Sequence, residues 1–429
     1  MLGTWIGVYC QADSSLVAAA RGEIAFLCSK ELGGRGYIGQ GHEKAAHYIA
    51  GKFEESGLEQ LPLVASEWDS DSLSFLQNFS FPLNLISDAH LSIDGEDQQL
   101  GLDFIPYRIS SAQSLKGPIS NLAFGLEEVS PDRIRDHILL IREGWPPEVS
   151  NNDSLKAVYA DKKRVWDRLG SYFAYRPSAV LIGRKKLTTG FSSQMIPLPV
   201  LEFQLDSMPE LADSAEISVS SELKEIQGIN VMGMLAGTRF PDTAIIVSAH
   251  YDHLGEIGGI RFPGANDNAS GLALMFSLIE HFGIQANRPA YSLVFIAFGG
   301  EETGLRGSKY YVEENPLFPL SQTKFILNLD LMGNGEKGIM AVGGRDFPQY
   351  FDQLVRINDS LQLVSKVNAR PNAPNSDHYF FLKNGIPGFF IYTMGGPPHY
   401  HDVRDTPENL LLSHFLELRK LFIIFLQSL

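Results

Sequence analysis

Several apolar segments of the chain are followed by side chains that can bind a metal ion. These side chains are His250 and Asp252 after "TAIIVSA", Glu301 and Glu302 after "YSLVFIAFGG", Asp330 after "FILNL", and His399 and His401 after "PGFFIYTMGGPP". A Gly- and Asn-rich turn, "PGANDNASG", carries Asp267 between the first two segments. Taken singly, a histidine at a strand end is commonly a structural residue, and Asp267 or Asp330 could cap a helix. Acids and imidazoles that follow several strands at one sheet edge together favour a metal site.

The residue types indicate which chemistry such a site would carry out. Imidazole and carboxylate ligands without cysteine suit zinc, cobalt or manganese. Five ligands that include one bridging carboxylate suit two ions about 3.5–4 Å apart. The adjacent Glu301 and Glu302 point in different directions, so one can bind metal while the other acts as general base towards an activated water. The pattern therefore predicts hydrolysis of a polarised carbonyl group.

Strand-like and helix-like segments alternate along the second half of the chain. The expected strands are "GINVMGMLAG", "DTAIIVSAH", "AYSLVFIAFG", "TKFILNLDLMG", "KGIMAVGG" and "GIPGFFIY". The expected helices are Ala269–Phe282, Gly304–Glu313, Phe347–Ser360, Asp377–Lys383 and an amphipathic one from Thr406 to the end. This order predicts an α/β fold with a mostly parallel sheet covered on both faces. Ligands in such sheets bind at the carboxyl ends of the strands, where the candidate side chains would meet.

The first half of the chain has a different order of helix-like and strand-like segments. Helical periodicity before and after "GGRGYIGQG" is followed by a strand-like zone over Ser74–Ser110. A strand–helix–strand set follows, with its helix at Ser154–Leu169, and this pattern is typical of a separately folded unit. We therefore expect a small α+β inserted domain at 96–205, with 13–95 and 206–429 forming the main domain.

Charge and composition argue against some classes of protein. The chain has 429 residues and a formal charge of −15, which argues against nucleic acid as a partner. No apolar run reaches the ~18 residues that span a bilayer. The opening "LGTWIGVYCQADSS" is similar to the end of a secretory signal without its positive start, so we expect 1–12 to be a signal remnant and the protein to be exported. The oligomeric state stays open.

The blocks "SAHYDHLG", "GANDNASG", "AFGGEETGLRGS", "NLDLMG" and "HYHDVRDTPENL" together resemble the signature of the co-catalytic di-zinc exopeptidases, metallopeptidase family 28. That family includes leucyl-type aminopeptidases, glutamate carboxypeptidases and glutaminyl cyclases. The likeness covers about 227–429, with a weaker echo in "GRGYIGQGHEKAAHYIAGKFEESGL". It implies a three-layer α/β/α fold with a twisted, mixed central sheet. The segments "KGPISNLAFGL" and "RDHILLIREG" loosely resemble a protease-associated insertion.

The resemblance also implies a role for each candidate residue. Asp267 would bridge two zinc ions, Glu302 and His401 would complete one site, His250 and Asp330 the other, Glu301 would be the general base, and Asp252 would orient His250. A cis peptide bond would follow Asp267. Asn266 replaces an aspartate that is common in the family.

Four further residues are weaker candidates. Periodicity cannot separate His399 from His401, but the family pattern selects His401 because Asp405 and Thr406 follow it. His253 lies beside the first motif and is expected in the cleft or behind a ligand. In "PNSDHYFF", Asp377 and His378 either form the cleft wall or act as a helix cap and a surface histidine.

The leading expectation is a zinc aminopeptidase that removes N-terminal residues from peptides. A carboxypeptidase or dipeptidase on the same centre is the alternative, and it would need a guanidinium for the C-terminal carboxylate. The candidates for that group are Arg261, Arg288, Arg345 and Arg370. A glutaminyl cyclase-like enzyme is less favoured, because such enzymes use one zinc and this chain keeps the full ligand set for two. A non-catalytic binding protein is less favoured, because the five ligands and the base are all intact.

Overall fold

The computed structural model describes residues 2–62, 73–125, 129–159, 164–209 and 211–429, without the side chains of 2–13. The predicted signal remnant, 1–12, therefore lies outside the described side chains. The chain forms two compact units. Unit 1 comprises Met1–Phe81, Ile226–Gly255 and Phe262–Leu429, and unit 2 comprises Pro82–Glu225 and Glu256–Arg261.

The helices and strands are numbered along the chain. The helices are α1 Leu2–Leu27, α2 Gly41–Glu55, α3 Pro147–Ser150, α4 Asp153–Val158, α5 Val165–Phe173, α6 Ser270–Gly283, α7 Arg306–Glu313, α8 Pro348–Leu361, α9 Tyr379–Lys383 and α10 Phe415–Ser428. The strands are β1 Leu61–Pro62, β2 Leu73–Ser74, β3 Leu76–Ile93, β4 Glu96–Asp97, β5 Phe104–Pro106, β6 Gln113–Asn121, β7 Ile138–Arg142, β8 Ala179–Arg184, β9 Val200–Gln204, β10 Ser214–Leu235, β11 Phe240–His250, β12 Gly255–Ile257, β13 Ile260–Phe262, β14 Tyr291–Phe298, β15 Thr323–Leu329, β16 Ile339–Val342, β17 Val367–Arg370 and β18 Gly388–Thr393.

The main sheet of unit 1 is mixed and mostly parallel. Its strand order is β17-β16-β18-β15-β11-β14-β10, where the last strand contributes its C-terminal half. The pairs β11/β14, β11/β15, β15/β18 and β16/β17 are parallel, whereas β10/β14 and β16/β18 are antiparallel. The predicted α/β class is confirmed. Strand β17 was not predicted: its four residues, "VNAR", are too few for their alternation to stand out, and all four are half-buried.

Both faces of this sheet are covered, because successive residues of a strand point to opposite faces. In β11, Ile245 and Val247 pack in one core with residues of α1, α2, α6, α8 and α10. Their neighbour Ile246 packs in the other core with residues of α7 and α9. The unit therefore has three layers, with helices on both sides of the sheet.

The C-terminal helix starts later than its periodicity predicts. It begins at Phe415 rather than near Thr406. The preceding segment buries Leu410 and Leu412 instead, and Leu412 has a φ of 53°, which is incompatible with a continuous α-helix. The amphipathic character is confirmed, since Phe415, Leu418, Leu421, Phe422 and Phe425 are buried.

Unit 2 has a sheet of its own. Strands β6, β7, β8 and β9 are parallel neighbours, and β5 pairs antiparallel with β9. The predicted helix Ser154–Leu169 is two described helices, α4 and α5. The second begins where the Asp167 carboxylate accepts the Arg164 backbone N–H at 3.0 Å, as a helix cap. The predicted insertion 96–205 lies within this unit, whose main segment starts earlier, at Pro82, and ends later, at Glu225.

None of the helices in the described ranges combines the length and the apolar character that crossing a membrane requires.

Candidate metal centre

Strand register in the unit 1 sheet brings the predicted ligands together. His250, the last residue of β11, is level with Phe298, the last residue of β14. Ser248 pairs with Asn328 of β15, so Asp330, the residue after the end of β15, is level with His250. The distance between His250 Nε2 and Asp330 Oδ1 is 3.4 Å.

Asp267 lies between two groups of potential ligands. Its Oδ1 is 3.2 Å from His250 Nε2, on the side where Asp330 lies. Its Oδ2 is 3.3 Å from His401 Nε2, which is also 2.9 Å from Glu302 Oε2. One carboxylate oxygen therefore faces each group. His401, rather than His399, makes these contacts.

The residues fit a bound cation by charge and by burial. Ligand atoms of His250, Asp267 and Asp330 lie within 4.8 Å of one another, and so do those of His253, Asp267 and Glu302. The carboxylates of Asp267, Glu302 and Asp330 are nearly inaccessible to solvent, and burying ionised carboxylates is unfavourable unless positive charge accompanies them. Histidine and carboxylate donors suit zinc and similar divalent ions.

The pKa shifts of the histidines and carboxylates in the cluster also favour a bound cation. Burial opposes the charged form of His250, but Asp330 and Glu301 outweigh it and raise its pKa well above the usual value. Burial is likewise outweighed at His401, where Glu302 and Asp267 raise the pKa to about 11. At Glu302, His401 and His253 overcome burial and hold the pKa at about 2. The carboxylates thus favour the protonated imidazoles, whose positive charge takes the place of the charge that a metal ion would supply.

A buried arginine holds the loop that carries Asp267. Arg35 uses all five of its N–H donors on backbone carbonyls, at 2.7–3.3 Å. The accepting residues are Leu27, Tyr251, Pro263, Gly264 and Asp267. Gly264 has a φ of 63°, and a Cβ there would meet the Asp267 carbonyl and the Arg35 guanidinium, so only glycine fits.

Asp405 supports the same loop from the other side. Its carboxylate accepts the backbone N–H groups of Asn266 and Asp267 at 2.9 and 3.0 Å. The peptide bond from Asp267 to Asn268 is cis, as the family resemblance implies.

Asp252 joins the two glutamates to the end of β11. Its carboxylate accepts the backbone N–H groups of Glu301 and Glu302, at 3.1 and 3.3 Å, and the hydroxyl of Tyr37 at 2.8 Å. Burial raises the pKa of Asp252, with His250 and Tyr37 acting in the opposite direction. His250 Nδ1 is 3.1 Å from the Asp252 carbonyl oxygen and 3.9 Å from its carboxylate, so the imidazole orientation depends mainly on the backbone.

A chain of buried side chains positions Asp330. Ser248 donates to Asn328 at 2.7 Å, Asn328 donates to Ser376 at 2.8 Å, and Ser376 donates to Asp330 Oδ2 at 2.9 Å. This chain leaves Asp330 Oδ1 directed towards His250.

The four weaker candidates have different surroundings. His253 is buried, and its Nδ1 is 2.8 Å from Glu302 Oε1. His399 lines a separate small cavity with Asn266 and Asp405. Asp377 and His378 are fully buried. Burial, with Asp252 and Asp330 nearby, raises the pKa of Asp377 to about 7, and burial lowers the pKa of His378 to about 3. Their part in substrate binding stays a prediction.

A cavity of about 300 Å³ opens beside the cluster. Its acidic side is formed by Asp267, Glu301 and Asp330, next to His250. The described residues of the remaining wall are Leu331, Arg370, Asn375, Phe390, Tyr392 and Tyr400. Sequence reasoning named Arg370 only as one of four arginines and missed Arg35, Tyr37 and Ser376. Of these, Arg35 and Tyr37 lie in "GRGYIGQG", the segment with the weaker family echo.

Fold and site together define a three-layer α/β protein with a His- and carboxylate-rich centre at the carboxyl ends of its strands. The model of peptidase family M28 matches residues 230–425, which contain every predicted ligand. The part of the chain that carries the candidate centre therefore resembles peptidase family M28.

Relatives with peptidase names also match the chain in sequence. The chain is 26% identical over 322 residues to "Aminopeptidase YwaD" of Bacillus subtilis, covering 70% of this chain and 63% of that protein. It is 37% identical over 114 residues to a "Probable zinc metalloprotease" of Pyricularia oryzae, covering 25% and 22%. The chain thus spans less than two thirds of the length of these curated relatives.

Two solved structures share the fold over nearly the whole chain. BSAP, a zinc aminopeptidase from Bacillus subtilis, has a TM-score of 0.68 at 19% identity and covers 96% of this chain and 94% of its own. A peptidase M28 precursor from Shewanella amazonensis has a TM-score of 0.71 at 16% identity, covering 97% and 96%.

Proposed function

We propose that the chain is a zinc-dependent aminopeptidase that hydrolyses N-terminal residues from peptides. The observation that carries this proposal is the position of Asp267, whose two oxygens face separate ligand groups 3.2–3.3 Å away. The match of residues 230–425 to the M28 family model supports a peptidase, and the names of its relatives support the aminopeptidase class.

In this proposal Asp267 would contribute to two zinc sites, with one carboxylate oxygen facing each group of ligands. His250 and Asp330 would complete one site, and Glu302 and His401 the other. His253 contacts Glu302 and would orient that carboxylate, while Asp252 would orient His250 and the glutamate loop. When bound, the ions would polarise the scissile carbonyl and lower the pKa of a water molecule towards neutrality.

Glu301 is proposed as the general base. It lines the cavity beside the ligand cluster, and burial, together with Glu302 and Asp377, raises its pKa well above the usual value despite His250. A raised pKa suits a carboxylate that must take a proton and hand it on. Its side-chain oxygen would remove the proton of the attacking water and return it to the departing amine nitrogen.

One observation favours a second candidate, hydrolysis from the carboxyl end of a peptide. The guanidinium of Arg370 lines the same cavity and could receive a C-terminal carboxylate. The alternative shares the metal centre and the base, so only the substrate can distinguish the two.

The test is amino-acid release from matched free and N-acetylated peptides, with zinc-loaded and chelated protein. We expect the zinc-loaded protein to release the first residue of free peptides and the chelated protein to be inactive. Hydrolysis of the acetylated peptides from their carboxyl end would select the second candidate. A zinc-loaded protein that cleaves none of these peptides would refute both.

We also propose that the chain is exported, because the apolar segment "WIGVYC" is followed by the polar segment "QADSS", as at the end of a secretory signal. The intact mass of the protein recovered from culture fractions would test this. A mature form lacking about the first 12 residues outside the cytoplasm is expected, whereas a full-length form confined to the cytoplasm would contradict it.

A further inference from the structure

Arg370 is the one arginine among the described residues that line the cavity, across from the acidic side. We infer that Arg370 makes this cavity select peptide substrates that present a carboxylate group close to the scissile bond. The inference rests on the proposed peptidase function and specifies its substrate class.

The backbone of Arg370 is fixed by the sheet. It is the last residue of β17, where it pairs with Val342 of β16, and its carbonyl accepts the Gly343 N–H at 3.0 Å. The guanidinium carbon lies 5.7 Å from the centre of the Tyr392 ring, which also lines the cavity. A guanidinium held by a strand and an aromatic ring is preorganised, so little entropy is lost when it binds a ligand.

The donors of Arg370 are only partly used. Nη2 donates to the Asn375 side-chain oxygen at 2.7 Å, in the amide orientation that also lets Asn375 donate to the Ala373 carbonyl at 2.9 Å. Nε is buried and has no hydrogen-bond partner among the described residues. Within the described ranges no carboxylate lies within 4 Å of this guanidinium in an ion pair. A guanidinium that lines the cavity without an anionic partner favours a ligand that supplies the negative charge.

A carboxylate is the ligand that matches this group. The planar guanidinium binds carboxylate oxygens through two parallel hydrogen bonds, which a neutral amide cannot reproduce. The opposite side of the cavity carries Asp267, Glu301 and Asp330, so without Arg370 the cavity would repel a substrate carboxylate. Two sources share this chemistry: the side chain of an N-terminal Asp or Glu, and the free α-carboxylate of a short peptide.

The experiment measures kcat/KM of the zinc-loaded full chain on three substrate pairs. The first pair, Glu-Ala-amide and Gln-Ala-amide, tests a side-chain carboxylate. The second, Leu-Ala and Leu-Ala-amide, tests the α-carboxylate of a dipeptide, and the third, N-acetyl-Ala-Leu and its amide, tests cleavage from the other end. We expect the acid to exceed its amide roughly tenfold to hundredfold in at least one pair.

The variants are Arg370→Met, Arg370→Lys and, as matched control, Arg356→Met, which removes an exposed arginine of α8. Arg370→Met should abolish the acid preference, because kcat/KM should fall much further on the acid substrates than on their amides. Arg370→Lys should keep part of the preference, because an ammonium retains the charge but not the paired geometry. Arg356→Met should behave as the unmodified protein.

Each other result has a defined meaning. Equal turnover of acids and amides by the unmodified protein, or a preference that survives Arg370→Met, overturns the inference but leaves the peptidase proposal intact. An equal loss on acid and neutral substrates would assign Arg370 a structural role and overturn it too. A preference confined to the acetylated pair upholds the role of Arg370 and refutes the aminopeptidase proposal. No turnover of any pair refutes the proposed function, and this inference with it.

Discussion

The carboxylate of Asp267 is shared by both halves of the candidate centre, so the position of each neighbouring side chain determines how a metal can bind. Asp330 depends on Ser376, which occupies its Oδ2 and leaves Oδ1 facing His250. Glu302 faces His401 and His253, whereas Glu301 faces the cavity. Two predictions belong to this scale.

The Ser376→Ala variant should bind zinc about tenfold more weakly, because residues that hold ligands in place typically contribute 10–100-fold to metal affinity. Competition titration with a zinc-binding dye measures this. Ser360→Ala, at an exposed serine of α8, is the control and should leave affinity unchanged. Unaltered zinc affinity in Ser376→Ala would mean that Asp330 needs no such support.

Glu301→Gln should reduce kcat by about 10²–10⁴-fold and leave the zinc content unchanged, since the proposal gives Glu301 a proton-transfer role and no metal. Glu302→Gln should lose metal as well as activity. Kinetics together with elemental analysis of the dialysed proteins separate the two effects. If Glu301→Gln stayed fully active, the assigned base would be wrong.

At the scale of elements, the centre depends on a loop tied to a distant part of the chain. Arg35, close after α1, spans the Asp267 loop and the end of β11 through five backbone carbonyls. Tyr37 similarly holds Asp252, which in turn receives the glutamate loop after β14. The N-terminal segment is therefore part of the scaffold of the site, although it contributes no ligand.

Arg35→Met should lower the free energy of unfolding by more than about 3 kcal/mol, because several buried carbonyls would lose their donor. Urea unfolding followed by intrinsic fluorescence measures the change. Arg356→Met serves as the exposed control and should shift stability by less than about 0.5 kcal/mol. A small effect at Arg35 would show that water or a local rearrangement satisfies these carbonyls.

At the scale of the whole molecule, metal binding and folding are linked. The centre gathers buried acidic side chains whose charges only the imidazoles balance within the described residues of the site. A ligand that binds only the folded state stabilises it according to its concentration, by about 2.7 kcal/mol at one hundred times Kd.

Chelation should therefore lower the Tm, and added zinc should restore it. The increase in Tm that zinc produces should become smaller as the pH falls. The reason is that the metal must displace protons from His250 and His401, whose pKa values the carboxylates raise. Calorimetry at several pH values with zinc and with chelator tests both statements. A zinc-dependent increment that grows on acidification would contradict them.

Local patterns in the sequence were sufficient for much of the fold. Apolar runs with turns between them identified β11, β14, β15 and β18, because a buried parallel strand must be apolar on both faces. Since parallel strands present their carboxyl ends at one edge, the same runs indicated where His250, Glu301 and Asp330 would meet. These inferences needed only short-range periodicity and a general rule of sheet topology.

Other features depend on contacts between distant residues, which local patterns do not encode. β17 has only four residues, too few for a reliable period-2 pattern. The position of Arg370 in the cavity follows from the pairing of β17 with β16. Arg35 lies more than two hundred residues from the loop it holds. The choice between His399 and His401 depends on the path of the loop after β18, where His401 has a φ of 56°. The sequence by itself thus determined the elements and the ligand types, whereas only tertiary packing decided which side chains surround the ligands and line the cavity.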